Sequence, residues 1–406
     1  MRIAMISEHA SPLATLGGID AGGQNTHVAE LAGALAADGH EVRVYTRRDD
    51  PAQPAVVPMA ARIDVVHVPA GPAAPLPKDE LLPHMGRFAE CLAADWRDEW
   101  RPDVAHAHFW MSGLAAVTAG NACDVPVVQT YHALGSVKRR HQGAADTSPA
   151  RRIAYERELG RAVDRVVVQC QDEVQELIRM GVPRSRMSLV PSGVNTERFR
   201  PDGPVRTRAK RPRILTVARL VERKGVEDLI RALPGVPRAE LVVVGGPPLD
   251  ELDGDPYARK LLTLAERCRV ADRVRLTGAV PAHEMPAWYR SADVVAATPW
   301  YEPFGLTVLE AMASGVPVIA SAVGGLTDTV VDGVTGDLVP ARDPAALAVA
   351  LRKLLADDVR RISYAAAAVD RAVHSYSWPR IAGRLANVYA SAAGLTTPEP
   401  TREAVA

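Results

Sequence analysis

The feature that most constrains this chain is an alternation of strand-length apolar runs with helical patterns, and the chain carries it twice. "RIAMIS" is followed by "NTHVAELAGALAADG", in which Val28, Leu31 and Leu35 share one helical face and Gly39 supplies a stop, and then by "EVRVYT". That order is a βαβ unit, whose crossover makes the strands parallel and covers both sheet faces. "IDVVHVP", "PDVAHAHF", "VPVVQTYH" and "DRVVVQC" extend the series to about residue 170. A second series opens near residue 212 with "RILTVARL", "AELVVVGG", "DRVRLTG", "ADVVAATP", "VPVIASA" and "TGDLVP". Between them lies "PSGVNTERFRPDGPVRTRAKRP", whose Pro, Gly and Arg content marks an interdomain linker. The expectation is an α/β chain of two doubly wound domains, residues 1–197 and 198–377, followed by an amphipathic helix over 378–395 and a polar tail, 396–406, expected to be disordered.

Composition sets the class of partner. The chain has 406 residues, 47% of them apolar and 24% charged, the balance of an ordinary globular protein. Lys+Arg and Asp+Glu number 48 each, so nothing global attracts nucleic acid or an anionic membrane. Cys91, Cys123, Cys170 and Cys268 are far apart and show neither metal spacing nor a disulfide framework, which fits a reducing cytoplasm. The N-terminus lacks an apolar stretch long enough for a secretion signal, and no run approaches the ~18 residues of a membrane span. The expected partners are small molecules, with no nucleic acid and no integral membrane association. A homodimer is left open.

Ligands of open α/β sheets bind beyond the carboxyl ends of the strands. With two such domains the cleft between those ends is the expected site, and the unusual residues just after strands are the candidates. After the first strand comes "SEHASPLATLGGIDAGGQNTHV", with Gly17-Gly18 and Gly22-Gly23 ahead of a helix. Glycines let backbone N–H groups approach a ligand, and a helix N-terminus favours an anion. The dinucleotide spacing G-x-G-x-x-G is absent, and a plain surface loop is the alternative. In "TVARLVERKG", Arg219 ends a strand and Lys224 stands at a helix start, cations suited to a pyrophosphate, although a solvated basic turn is the plainer account. The next strand ends in Gly245-Gly246. In "WYEPFGLTVLEAMASGVPVIAS", Glu302 precedes a helix opened by Gly305 and Leu306, and Glu310 lies near its second turn. Like charge keeps Glu310 off a phosphate. It suits ribose hydroxyls, while Glu302 suits the sugar. Capping or surface carboxylates are the alternative.

These stretches together resemble family 4 retaining glycosyltransferases. E-P-F-G-L-x-x-L-E-A-M-A-x-G-x-P-V-I-A-S is similar to that family's signature, and Arg219 and Lys224 match its R-L-x-x-x-K-G element. "GIDAGGQN", "HAHFWMSG" and "HALGSVK" resemble motifs of its D-inositol-3-phosphate glycosyltransferase and sucrose-phosphate synthase branch. The resemblance implies the GT-B fold, two Rossmann-like domains facing across a cleft, with the last helix packing back onto the first domain. It implies that Arg219 and Lys224 hold the donor diphosphate, with Gly22, Gly23 and Gly245 allowing close backbone approach. Glu310 would hold the ribose. Glu302 and the amides near Phe304, Gly305 and Leu306 would contact the donor sugar, and His132 would lie near the reaction centre. The catalytic set is then His132, Arg219, Lys224 and Glu302. No cofactor and no metal are implied, since "DGD" at Asp253–Asp255 reads as a helix cap.

For the acceptor, the branch holds a phosphate with Lys, Tyr, Thr and Arg. Lys78 and Arg151 or Arg152 match two of these, but Phe109 replaces the Tyr and Ala133 the Thr. Asn25 remains as a polar contact. Two missing hydroxyls should weaken phosphate binding by roughly 1.5–3 kcal/mol each. The expected reaction is therefore transfer of a hexosyl or N-acetylhexosaminyl group from a nucleotide sugar, uridine-linked by the branch, to a polyol, cyclitol or aminocyclitol. An inositol-phosphate or sugar-phosphate acceptor is the alternative. Outside that class stand a GT-B epimerase or phosphorylase and a non-catalytic sugar-binding protein.

Overall fold

The structure is a computed structural model and describes residues 1–14 and 22–395. Gly17 and Gly18, and the tail 396–406, lie outside the described residues. The first sheet contains β1 (Arg2–Ile6), β2 (Glu41–Arg47), β3 (Val56–Ala60), β4 (Ile63–Val68), β5 (Val104–His108), β6 (Val127–Thr130), β7 (Arg165–Val168) and β8 (Met187–Leu189). Their order is β3-β4-β2-β1-β5-β6-β7-β8, with every pair parallel except β3 and β4. The second holds β9 (Arg213–Val217), β10 (Glu240–Val244), β11 (Val274–Leu276), β12 (Val294–Ala297), β13 (Val318–Ser321) and β14 (Gly336–Val339), all parallel, in the order β11-β10-β9-β12-β13-β14. In each sheet the order reverses beside the first strand, between β1 and β5 and between β9 and β12. Such a switch point splays the following loops apart and opens a crevice.

All six strands expected in the second half are present. In the first half β3 and β8 were not anticipated. β3 carries Pro58 and a bulge, and it survives as an antiparallel edge because a proline without an N–H is tolerated only there. β8 is three residues long, too short to show a period.

The final helix, Trp378–Ala392, buries Trp378, Ile381, Leu385 and Tyr389 against Ile3, Val28, Leu31 and Val128 of the first domain. The chain therefore crosses twice between domains, and the two crossings touch: Val194 bridges Ser377, and the Val194 N–H donates to the Tyr376 carbonyl at 2.8 Å. No helix among the described residues is long and apolar enough to cross a membrane.

Candidate active site between the two sheets

The carboxyl ends of both sheets face one another. A Cβ on Gly23, at the start of helix Gly23–Ala37, would stand 3.2 Å from Leu306 Cδ1, at the start of helix Leu306–Ala313. Two helix N-termini thus meet across the cleft with their free N–H groups, an arrangement that favours an anion. Gly305 has φ 90°, and a side chain there would strike Leu326, so the turn into the second helix needs glycine.

The loops after β9 and β12 are laced together. The Trp300 N–H donates to the Arg223 carbonyl at 2.8 Å, and Thr298 Oγ1 donates to the Gly225 carbonyl at 2.9 Å. Gly225 lies so close to the Thr298 carbonyl that no Cβ would fit. These backbone contacts place Lys224 Nζ 2.5 Å from Glu302 Oε2. Burial opposes ionisation of Glu302, but Lys224, then Arg223 and the Phe304 N–H, together hold its carboxyl below the ordinary range. Glu302 is also braced from beneath, because the Gly325 N–H donates to its carbonyl at 3.0 Å and Gly324 leaves no room for a side chain. This glycine pair was not singled out from the sequence, although "GG" after a strand was a usable signal.

Glu310 accepts from Tyr289 Oη at 2.6 Å, and burial pushes its carboxyl up to about 7. Arg219 is exposed on the segment after β9. Gly245 is used by the fold: its N–H donates to Gly278 at 3.0 Å and its Cα faces the Ala218 carbonyl. Phe304 is buried against the second core and offers the cleft only its backbone. Asp255 accepts from the Ala258 N–H and caps helix Pro256–Arg267, as its sequence context suggested.

His132 sits in a left-handed conformation, φ 60°, with Nε2 2.9 Å from His108 Nδ1. His27 stacks edge-on at 4.9 Å and is anchored by a 2.7 Å bond to Ser192 Oγ in the linker. Behind them His106 bonds Thr130 Oγ1 at 2.8 Å and the Tyr389 hydroxyl at 2.7 Å. Burial holds all four imidazoles far below their ordinary range, His27 and His106 at about 3, so they are neutral near pH 7. His27, His108 and His132 present nitrogens within 4.8 Å of one another, and among the described residues they are the trio able to hold a metal ion. The hydrogen bond between His108 and His132 would have to open for an ion to enter. The His27 and His108 contributions were missed because each lies inside an element rather than after it.

On the acceptor side, Phe109 has φ 86° and ψ 157°, a region almost confined to glycine and costing about 1–3 kcal/mol. That backbone aims its ring between Lys78 Nζ at 5.1 Å, Arg152 Cζ at 5.0 Å and the His9 ring at 4.9 Å. Arg152 is 2% exposed and fully engaged, donating to Glu156 at 2.7 Å, to the Ala133 carbonyl at 2.6 Å and to Ser148 at 3.1 Å. Lys138 is held by Ser148 and Asp146. Lys78 makes no ion pair among the described residues, and burial, with Arg152 and Lys138 nearby, pushes its ammonium below the ordinary range. Two expected contacts fall elsewhere. Arg151 is exposed over Tyr155, and Asn25 is 4% exposed with its amide spent on the Gly22 N–H and the Ser11 carbonyl, each at 3.0 Å. Glu8, buried under Ser112 and 2.7 Å from His9, is an unanticipated carboxylate in this wall.

Comparison with known proteins places this architecture. The sequence matches the models of Glycosyltransferase Family 4 over residues 21–198 and of Glycosyl transferases group 1 over residues 201–370. It is 40% identical to the D-inositol 3-phosphate glycosyltransferase of Xylanimonas cellulosilytica, over 96% of this chain and 97% of that one. It is 36% identical to the protein of that name from Corynebacterium diphtheriae, over 97% and 96%. The sucrose-phosphate synthase structure from Thermosynechococcus elongatus superposes with a TM-score of 0.86 at 32% identity, covering 96% of this chain and 98% of that one. Anabaena HepE in complex with UDP-glucose shares the fold at a TM-score of 0.72 and 20% identity, covering 96% and 100%. With both halves matched and relatives aligned end to end, this chain belongs to the family 4 glycosyltransferases and has their GT-B fold.

Proposed function

We propose that the protein is a retaining transferase that moves a hexosyl or N-acetylhexosaminyl group from a uridine-linked nucleotide sugar to a small phosphorylated cyclitol or sugar, without a metal. Lys224, Arg219 and the facing helix N-termini would stabilise charge on the departing diphosphate, with Glu310 on the ribose and Glu302 on the sugar. The acceptor hydroxyl oxygen forms the bond to the anomeric carbon from the face the diphosphate leaves. Its proton passes to a diphosphate oxygen, so no protein base is required. His132, kept neutral by burial, would hydrogen-bond the donor sugar.

The observation that carries the acceptor reading is Lys78. It is an enclosed ammonium beside two further cations, and each of those already has its own carboxylate, Glu156 for Arg152 and Asp146 for Lys138. Asp79 and Glu8 offset this charge in part without forming an ion pair with it, and a cation left unpaired among cations favours an anionic acceptor. This outweighs the loss of neutral hydroxyls at Phe109 and Ala133, on which the expectation of an uncharged acceptor rested. The names of the curated relatives point the same way. The test is donor depletion with one UDP-sugar and a panel of inositol phosphate, inositol, aminocyclitol and hexose phosphate. Preference for a phosphorylated acceptor by tenfold or more is expected. Equal use of inositol and inositol phosphate refutes the reading.

A further inference from the structure

The residues just before Lys224 and Glu302 form a second pair. Arg223 Cζ lies 5.5 Å over the Tyr301 ring, one position outside the ion pair on each loop. Trp300, the residue before that, lies 3.8 Å under the Arg342 guanidinium. Tyr301 is also contacted from the opposite domain. His141 stacks on it at 4.9 Å with an interplanar angle of 24°. His141 closes helix Gly135–Gln142 of the first domain. One turn earlier that helix carries Lys138, held at Ser148 and Asp146 beside the acceptor wall. A single short helix therefore touches the acceptor wall at one end and the donor loop at the other. Two more contacts bridge the cleft: Gly23 against Leu306, and the Gln171 N–H donating to Asp328 at 2.6 Å.

We propose that His141, Tyr301 and Arg223 form an interdomain clasp that holds Glu302 and Lys224 in register with the acceptor-side domain when the cleft closes, making His141 a positioning residue for transfer. The argument is geometric. Tyr301 and Glu302 are consecutive, so a ring held by both a cation and an imidazole restricts the carboxylate that follows it. The clamp exists only while the domains are together, because one of its members belongs to the other domain. Stacking between aromatic rings is worth enough to bias closure by about threefold to tenfold. The exposed setting of His141 leaves it free to separate when the cleft opens.

The catalytic half of this inference rests on the donor-site reading above, whereas closure itself does not, so the test reads both. His141→Ala and Tyr301→Ala are compared with Tyr301→Phe in the full chain. The ligand-free interdomain distance is followed by fluorescence energy transfer between one dye on each domain. UDP affinity is measured by calorimetry, and kcat/KM with the UDP-sugar that supports turnover. The expected result is a shift toward longer distances in both alanine variants, a threefold to tenfold fall in kcat/KM, UDP affinity within twofold of the parent, and near-parental behaviour of Tyr301→Phe. Unchanged distance distributions in both alanine variants overturn the clasp, whatever the donor proves to be. A fall in UDP affinity that accounts for the whole loss of kcat/KM also overturns it, since the residues would then serve only the donor site locally. Absence of turnover with any UDP-sugar in the unaltered protein refutes the donor reading and leaves the distance measurement to decide the clasp.

Discussion

Replacing Lys224 by methionine separates two consequences of one contact. Lys224 and Glu302 lie 2.5 Å apart with side chains 21% and 17% exposed. Removing one partner of a fully buried pair costs about 3–5 kcal/mol, chiefly because the other charge is left uncompensated. The residual exposure lowers that here to about 2 kcal/mol, by the same reasoning. Adding Glu302→Gln removes the orphaned charge, so the double variant is expected to be more stable than Lys224→Met alone. Activity behaves differently. Loss of one preorganised cation at the departing diphosphate should lower kcat by about 10²–10³-fold, and the second substitution cannot restore it. The pH dependence supplies a further check. In the parent, the Glu302 carboxyl is held below its ordinary range, so its contribution to stability is complete above the ordinary carboxylate range and is lost as pH falls through the lowered value. In Lys224→Met burial acts with less opposition and pushes that carboxyl upward, and a raised carboxyl destabilises the fold as pH rises through it, so the variant's deficit should narrow as pH falls and Glu302 protonates. The assay is thermal melting of parent, single and double variants across pH, with donor turnover on the same samples. A double variant no more stable than Lys224→Met, or near-normal turnover in Lys224→Met, refutes the reasoning.

Arg219→Ala should likewise lose roughly 10²–10³-fold in turnover, and a value near the parent's would remove Arg219 from the diphosphate site. Glu310, with its carboxyl near 7, is protonated as pH falls below that value, so donor KM should rise below pH 7. Glu310→Gln should flatten that profile, and an unchanged profile refutes the ribose assignment. Activity should persist in excess EDTA; restoration by added metal after chelation would instead direct attention to His27, His108 and His132. Phe109→Tyr with Ala133→Thr should tighten use of a phosphorylated acceptor by about tenfold or more, as two added hydrogen bonds allow, and no gain shows that neither position faces the phosphate.

The alternation of short apolar runs with helical faces was enough to define both parallel sheets, since periodicity is a local property of the chain. The exceptions have local causes: Pro58 disguises β3, and β8 is too short to have a period. The motifs also located the loops that meet in the cleft, because glycine, proline and charged residues after a strand mark where a chain turns toward a ligand. Only the tertiary structure decided which side chains meet. Lys224 and Glu302 are brought together by backbone bonds between loops far apart in the chain, and His132 is set by His108 and His27 from two other elements. Arg151 and Arg152 are indistinguishable as letters, yet the turn of helix Arg152–Ala162 buries one against Glu156 and leaves the other in solvent. Asn25 is a polar residue in the right loop whose amide is consumed by its neighbours' backbone. Lys78 acquires its meaning from having no ion pair among the described residues, a property of the whole neighbourhood. Hydrogen-bond saturation and charge balance are settled among residues distant in sequence, so no window of the chain contains them.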